Sequence, residues 1–164
     1  MIRHRLTTAA LGAILFVVSI GNAKAQAAKQ LVGTWMLVSN VNTAADGTTT
    51  FGYTKDPKGV MVFDPNGHFV LLNTRPDLPK FSSNNRTTGT AEENKAIVQG
   101  SLGFFGTYTV EDNVITLKVD GGTWPSWYGT VQKRPIISLT ADELKYSVAA
   151  SVGGSSENVY RRIK

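Results

Sequence analysis

Turn signals recur about every ten residues after position 40, and they separate short runs rich in β-branched and aromatic residues. The clearest pair of runs is Gly59–Phe63 and His68–Asn73, which flank the turn Asp64-Pro65-Asn66-Gly67. Proline followed by Asn-Gly is typical of a hairpin turn. About eight to ten runs of this kind predict an all-β protein, either an antiparallel up-and-down barrel or a sandwich.

One helix is predicted inside this β pattern. Thr90-Ala91-Glu92-Glu93 forms a capping box, in which residues 90 and 93 satisfy each other's backbone N–H groups. Gly100 is a typical residue for a helix end, so the helix is expected from Ala91 to about Gln99. The runs of the hairpin are apolar on both faces, whereas a barrel strand normally turns one face to water. The predicted helix is a candidate to cover that second apolar face.

The first residues have the three-part layout of a secretory leader. A charged head at Arg3–Arg5 precedes the apolar run Leu11–Ile20, and Ala23-Lys24-Ala25 has the form of a leader-peptidase site. The apolar run is shorter than the roughly 20 residues of a membrane-spanning helix. We therefore expect residues 1–25 to be a signal peptide that is removed on export to the periplasm or medium of a bacterium. Residues 26–164 would then form one β-barrel domain without a stable membrane anchor.

Composition excludes several classes of function. Three of the 17 Lys and Arg residues lie in the leader, so the remaining domain is close to neutral. A nucleic-acid surface needs a clustered basic face, and nucleic acid is therefore not predicted as a partner. The chain has no cysteine, and His68 is the only histidine of the domain. A lone imidazole cannot form a metal site, so neither a metal nor another cofactor is predicted.

An ordered set of short motifs runs through almost the whole domain. The motifs are Leu31-Val32-Gly33-Thr34-Trp35, Pro57-Lys58-Gly59, Arg75-Pro76-Asp77, Gly106-Thr107-Tyr108, Trp124-Pro125-Ser126-Trp127 with Gly129-Thr130, and Tyr160-Arg161-Arg162. This set resembles the bacterial lipocalin-like domain family, within the calycin group of β-barrels. The resemblance implies an antiparallel up-and-down barrel of about eight to ten strands with an apolar interior. Our first hypothesis for the function is that this barrel binds a small hydrophobic or amphipathic ligand in its interior.

The two ends of the domain are expected to meet. Gly33 and Trp35 open the first strand, and burial of the large indole at one end of the barrel would remove much apolar surface from water. An arginine of the last strand, Arg161 or Arg162, would lie over the indole face as a cation. This contact would join the first strand to the last.

Seven residues are candidate ligand-binding groups. They are Arg75, Tyr108, Trp124, Trp127, Tyr53, Phe69 and His68. Trp124 and Trp127 lie between strands near an expected barrel mouth, where exposed indoles need cover. Arg75 would anchor a carboxylate or hydroxyl, and the loop Arg75–Phe81 with the predicted helix would cap the mouth. The simpler alternative is that the aromatic residues only fill the core.

Two other functions stay open. An enzyme of the cyclase, isomerase or hydrolase type would need at least two of Arg75, Asp77, His68 and Tyr108 in one cavity. The sequence has neither a Gly-x-Ser-x-Gly motif nor a dinucleotide fingerprint, and no catalytic residue is assigned. The other alternative is a barrel with a fully packed interior that serves as an interaction or inhibitor module.

Overall fold

The computed structural model of the protein describes residues 27–149 and 153–164, and the predicted leader lies outside these residues. The strands are β1 (Gly33–Thr43), β2 (Thr49–Phe51), β3 (Lys58–Phe63), β4 (His68–Thr74), β5 (Ser101–Glu111), β6 (Val114–Gly122), β7 (Val131–Leu139), β8 (Glu143–Ala149) and β9 (Ser155–Arg162). Helix α1 is described over residues 27–31, and helix α2 covers Ala91–Gly100. A short 3-10 turn, Pro125–Trp127, lies between β6 and β7. Within the described ranges, none of the helices has the length and apolar character needed to cross a membrane.

The sheet closes on itself as an antiparallel barrel. The strands follow the order β2-β1-β3-β4-β5-β6-β7-β8-β9, and β1 also pairs with β9. The short strand β2 pairs with β1 at the far end of that strand, so the remaining eight strands form the closed wall. The β1–β9 register runs from Trp35 opposite Arg162 to Thr43 opposite Ser155, with a bulge between Leu37 and Ser39. The prediction of an up-and-down barrel is confirmed.

The local turn chemistry also agrees with the sequence. Asp64 Oδ1 accepts hydrogen bonds from the backbone N–H groups of Asn66 and His68, each at 2.8 Å. Gly67 has a φ angle of +87°, a backbone conformation that residues other than glycine rarely adopt. The hairpin between β3 and β4 therefore has the predicted turn.

Helix α2 begins as predicted and ends differently. Thr90 caps it, because its hydroxyl accepts from the Glu93 N–H while the Glu93 carboxylate accepts from the Thr90 N–H at 2.8 Å. Gly100 is the last helical residue, and it is buried where a Cβ would collide with Leu78. Close packing rather than a left-handed helix end therefore accounts for this glycine.

The expectation that α2 covers the outer face of the β3–β4 hairpin is wrong. Val70 and Leu72 point outward from β4 and are exposed, as is the neighbouring Phe105 of β5. The physical reason is the placement of α2, which connects directly to β5 and lies over one end of the barrel. The inward side of β4 carries Phe69 and Leu71, which belong to the buried core.

Candidate functional site

One end of the barrel is closed around Trp35. The indole is fully buried, and its N–H donates to the carbonyl of Leu31 at 2.8 Å. The guanidinium of Arg162 lies over the indole ring, 3.9 Å from its centre. Of the two predicted arginines, Arg162 therefore makes the contact. Arg161 lies opposite Met36 on the outer face and is exposed, because successive residues of a strand point to opposite sides.

Arg162 also completes the end of helix α1. Its guanidinium donates to the carbonyls of Gln30 and Val32, the latter at 2.6 Å, and to the carbonyl of Ala141 at 2.6 Å. Carbonyls at the C-terminus of a helix have no partner within the helix, and a cation there is favourable. Trp35 and Arg162 together therefore fasten α1 across the closed end of the barrel.

This arrangement explains the glycine of the Gly-x-Trp motif. Gly33 has φ of +139°, and a Cβ at this position would collide with the guanidinium of Arg162. A side chain at position 33 would thus be strained by the backbone and would displace the arginine from the last strand.

The opposite end of the barrel contains a cavity of about 370 Å³. It lies where β1 and β4 end and where β5 and β9 begin, and helix α2 stands beside it. Val98 and Gln99 of α2 line the cavity and are exposed, so it reaches the surface there. The volume falls near the lower end of the range of roughly 300–1,000 Å³ that is common for small-molecule pockets.

One wall of the cavity is apolar. It includes Leu71, Leu102, Phe104, Trp127 and Val148. The 3-10 turn places the indole of Trp127 against Phe104, with the ring centres 5.3 Å apart in an edge-to-face arrangement. This contact fixes the orientation of an aromatic surface toward the cavity.

Another part of the wall is polar, although it lies inside the barrel. The Asn40 amide donates to Asn158 Oδ1 at 2.7 Å and to Ser156 Oγ at 2.8 Å, and these three residues line the cavity. The Asn73 amide donates to the Tyr160 hydroxyl at 2.9 Å. These bonds join β1 to β9 and β4 to β9 across the barrel, and they offset the cost of burying the amides.

Tyrosines complete the polar part of the wall. Tyr53 and Tyr146 line the cavity, and Tyr146 stacks on Tyr160 with ring centres 5.8 Å apart. Burial raises the pKa of Tyr53 to about 12, because the phenolate would be poorly solvated there. Near neutral pH this phenol is protonated and can act as a hydrogen-bond donor or acceptor.

Arg134 of β7 brings a positive charge to the cavity. The residue is 5% exposed, lines the cavity, and donates one hydrogen bond to the Lys133 carbonyl at 3.0 Å. Burial lowers the pKa of Arg134, while the phenol oxygens of Tyr146 and Tyr160 favour the charged guanidinium. An arginine side chain nevertheless stays protonated at physiological pH.

The structure separates the seven sequence-predicted residues. Tyr53 and Trp127 line the cavity, and Phe69 lies in the core with its ring centre 5.6 Å from that of Phe104. Trp124 is 47% exposed and does not line the cavity; it borders a separate cleft together with Ile97 and Val98 of helix α2.

The other three predicted residues do not line the cavity. Arg75 is exposed and forms two hydrogen bonds with the Asp77 carboxylate, at 2.9 and 2.7 Å. His68 and Tyr108 meet Asp64 at the β3–β4 turn, near the start of β1 and thus at the closed end. The four residues considered for catalysis therefore occupy two places, and both are apart from the cavity wall.

Comparisons with known proteins give one family. A family model described as "Lipocalin-like domain" matches residues 32–161. A search of curated proteins returned no significant relative. Among solved structures, a redesigned β-barrel is 17% identical with a TM-score of 0.44 and covers 84% of this chain and 96% of its own. The redesigned barrel mFAP1, bound to DFHBI, is 19% identical with a TM-score of 0.41 and covers 83% of this chain and 98% of its own.

Proposed function

Because the chain belongs to the family of lipocalin-like domains, we propose that it is an exported protein that binds a small hydrophobic or amphipathic molecule inside its barrel. The observation that supports this most directly is the cavity of about 370 Å³ at the open end. A barrel that served only as an interaction module would need no such space in its interior. The mixed wall, with Trp127 on one part and buried amides on another, suits a molecule with an apolar body and a polar group.

We propose binding rather than catalysis. Catalysis by the residues considered from the sequence would require two of them within hydrogen-bond reach of one bound substrate. Arg75 is engaged by Asp77 on the surface, and His68 and Tyr108 lie at the other end of the barrel. This placement favours the carrier over the enzyme.

Export is the second part of the proposal. It rests on the leader layout of residues 1–25. When residues 1–164 are produced in a bacterial host, intact-mass measurement of the purified protein should show a chain that begins at Gln26. A mass that retains residues 1–25 would contradict export by leader cleavage.

Filling part of the cavity should weaken binding. Leu71 points into the cavity and Leu72, the next residue of β4, points outward. We expect Leu71→Phe to weaken ligand binding about tenfold or more, since added volume in a packed site costs of the order of 1–3 kcal/mol. The measurement is a titration of the protein with octanoate, 1-octanol, cinnamate and cinnamyl alcohol, followed by the fluorescence of Trp127 and the other tryptophans.

Leu72→Phe is the matched control, because it adds the same atoms to the outer face of the same strand. Its affinities should stay within about twofold of those of the original protein, as expected for a surface change. Equal binding by both variants would contradict the cavity as the binding site. No fluorescence or calorimetric response to any of the four compounds in the unaltered protein would count against small-molecule binding itself.

A further inference from the structure

We propose that the cavity selects a ligand that carries a carboxylate, and that Arg134 holds this group. The inference rests on the proposed function and names the class of molecule that the site takes. It assigns the anchoring role to a residue of β7, and not to Arg75.

The first step concerns the partners of Arg134. A guanidinium has five N–H donors in a planar fork, and the Lys133 carbonyl accepts from one nitrogen, Nη1. Among residues 27–149 and 153–164, no carboxylate forms an ion pair with Arg134. The Tyr146 hydroxyl is a second, neutral partner of the guanidinium. A buried charge is costly unless it is paired, and the remaining donors of the fork are available to a group that enters from the cavity.

Arg162 shows what a structural arginine looks like in this barrel. It donates to three backbone carbonyls from separate parts of the chain and lies over Trp35. Arg134 has one backbone acceptor, which belongs to the neighbouring residue, and the neutral Tyr146 hydroxyl as a second partner. Its side chain borders open space. Arg162 is therefore held by acceptors within the protein, whereas Arg134 has hydrogen-bond donors left for a ligand.

The second step concerns the charge of the cavity as a whole. Of the described residues that line it, Arg134 is the only one with a formal charge at neutral pH, and none is acidic. The positive charge is held in a low-dielectric surrounding, which strengthens its attraction for an anion. A guanidinium and a carboxylate match as two parallel hydrogen bonds, which a neutral hydroxyl cannot provide.

The third step concerns the remainder of the ligand. The indole of Trp127, the ring of Phe104 and the side chain of Leu102 form an apolar surface in the same cavity. A space of about 370 Å³ suits a compact molecule. The structure thus favours a small aromatic or medium-chain carboxylic acid over a long lipid.

The test compares acids with alcohols of the same skeleton. Protein produced from residues 1–164 is titrated at a pH of about 7.5 with cinnamate against cinnamyl alcohol, and with octanoate against 1-octanol. We expect each acid to bind about tenfold or more tightly than its alcohol. Arg134→Met should reduce the affinity for the acids by about 10- to 100-fold, the usual size of lost hydrogen bonds to a charged group. Its affinity for the alcohols should change by less than about threefold.

Arg161→Met is the matched control, since it makes the same replacement at an exposed arginine of β9. It should leave the preference for acids unchanged. Arg134→Gln provides a second variant that keeps a polar group in the wall, and it should lose the preference for acids as well. Thermal unfolding of each variant confirms that it is folded.

The outcomes separate this inference from the proposed function. Alcohols that bind the unaltered protein as tightly as the acids would overturn the role of Arg134 and leave small-molecule binding standing. A preference for acids that survives in Arg134→Met and Arg134→Gln would overturn it too. Absence of binding by all four compounds would remove the proposed function and the assignment of Arg134 with it.

Discussion

Replacement of Trp35 by alanine is expected to lower the free energy of unfolding by about 3–5 kcal/mol, the usual cost of a large aromatic residue in a core. Three features of this side chain contribute to the loss. The indole is fully buried, its N–H donates to the Leu31 carbonyl, and its face supports the guanidinium of Arg162. Domains of this size have a total stability of about 5–15 kcal/mol, so much of the margin would disappear.

The measurement is denaturant unfolding followed by far-ultraviolet circular dichroism. Trp124→Ala is the control, because Trp124 is 47% exposed and does not line the cavity. Its unfolding free energy should change by less than about 1 kcal/mol, as for most surface positions. Equal unfolding midpoints for the two variants would contradict the placement of Trp35 as the residue that closes the barrel.

The parts of the fold that could be predicted from the sequence depend on local chemistry. The β3–β4 turn and the start of α2 are set by residues within four positions of each other, namely Asp64 with His68 and Thr90 with Glu93. These signals act whatever the rest of the chain does. Closure of the barrel near Trp35 was predictable from the Gly-x-Trp motif and the arginines of the last strand. The choice of Arg162 over Arg161 required the register of β9 on β1.

The candidate site was harder to predict, because its polar residues reverse the usual pattern. In β7, Val131 and Ile137 point outward and are 56% and 52% exposed, whereas Arg134 points inward. A prediction that turns the apolar face of a strand inward places this arginine in solvent. The same prediction wrongly places the inward-facing asparagines, such as Asn73 and Asn158, in solvent. Their partners are more than 80 residues away in sequence, so no local motif marks them.

Distance along the barrel explains the remaining differences. His68 and Tyr108 belong to neighbouring strands and both contact Asp64, but the β3–β4 turn that holds Asp64 lies at the closed end. Tyr53 and Trp127 lie at the open end. A sequence pattern shows that a residue faces inward and does not show at which end of a barrel it lies. Arg75 directly follows β4 at the open end of the barrel. Its guanidinium, however, donates two hydrogen bonds to the carboxylate of Asp77, two residues later.

Loss of the Arg162 guanidinium should have the second-largest effect on stability. We expect Arg162→Met to lower the free energy of unfolding by about 2–3.5 kcal/mol. Hydrogen bonds from a charged group contribute about 1.5–3 kcal/mol, and a cation over an indole adds about 0.5–2 kcal/mol. The lower half of the summed range applies because the side chain is only partly buried. Denaturant unfolding and amide hydrogen exchange along β1 and β9 provide the measurements.

Two further variants identify which property of Arg162 matters. Arg162→Lys keeps the charge and loses the planar fork that reaches the carbonyls of Gln30, Val32 and Ala141, so it should recover less than about half of the loss. Arg161→Met should change the unfolding free energy by less than about 0.5 kcal/mol. If Arg162→Lys were as stable as the original protein, charge alone would account for the contact with Trp35. If Arg162→Met and Arg161→Met changed the unfolding free energy equally, the contacts of Arg162 would not be what joins the two strands. An exposed arginine would then contribute as much as the one that lies over Trp35.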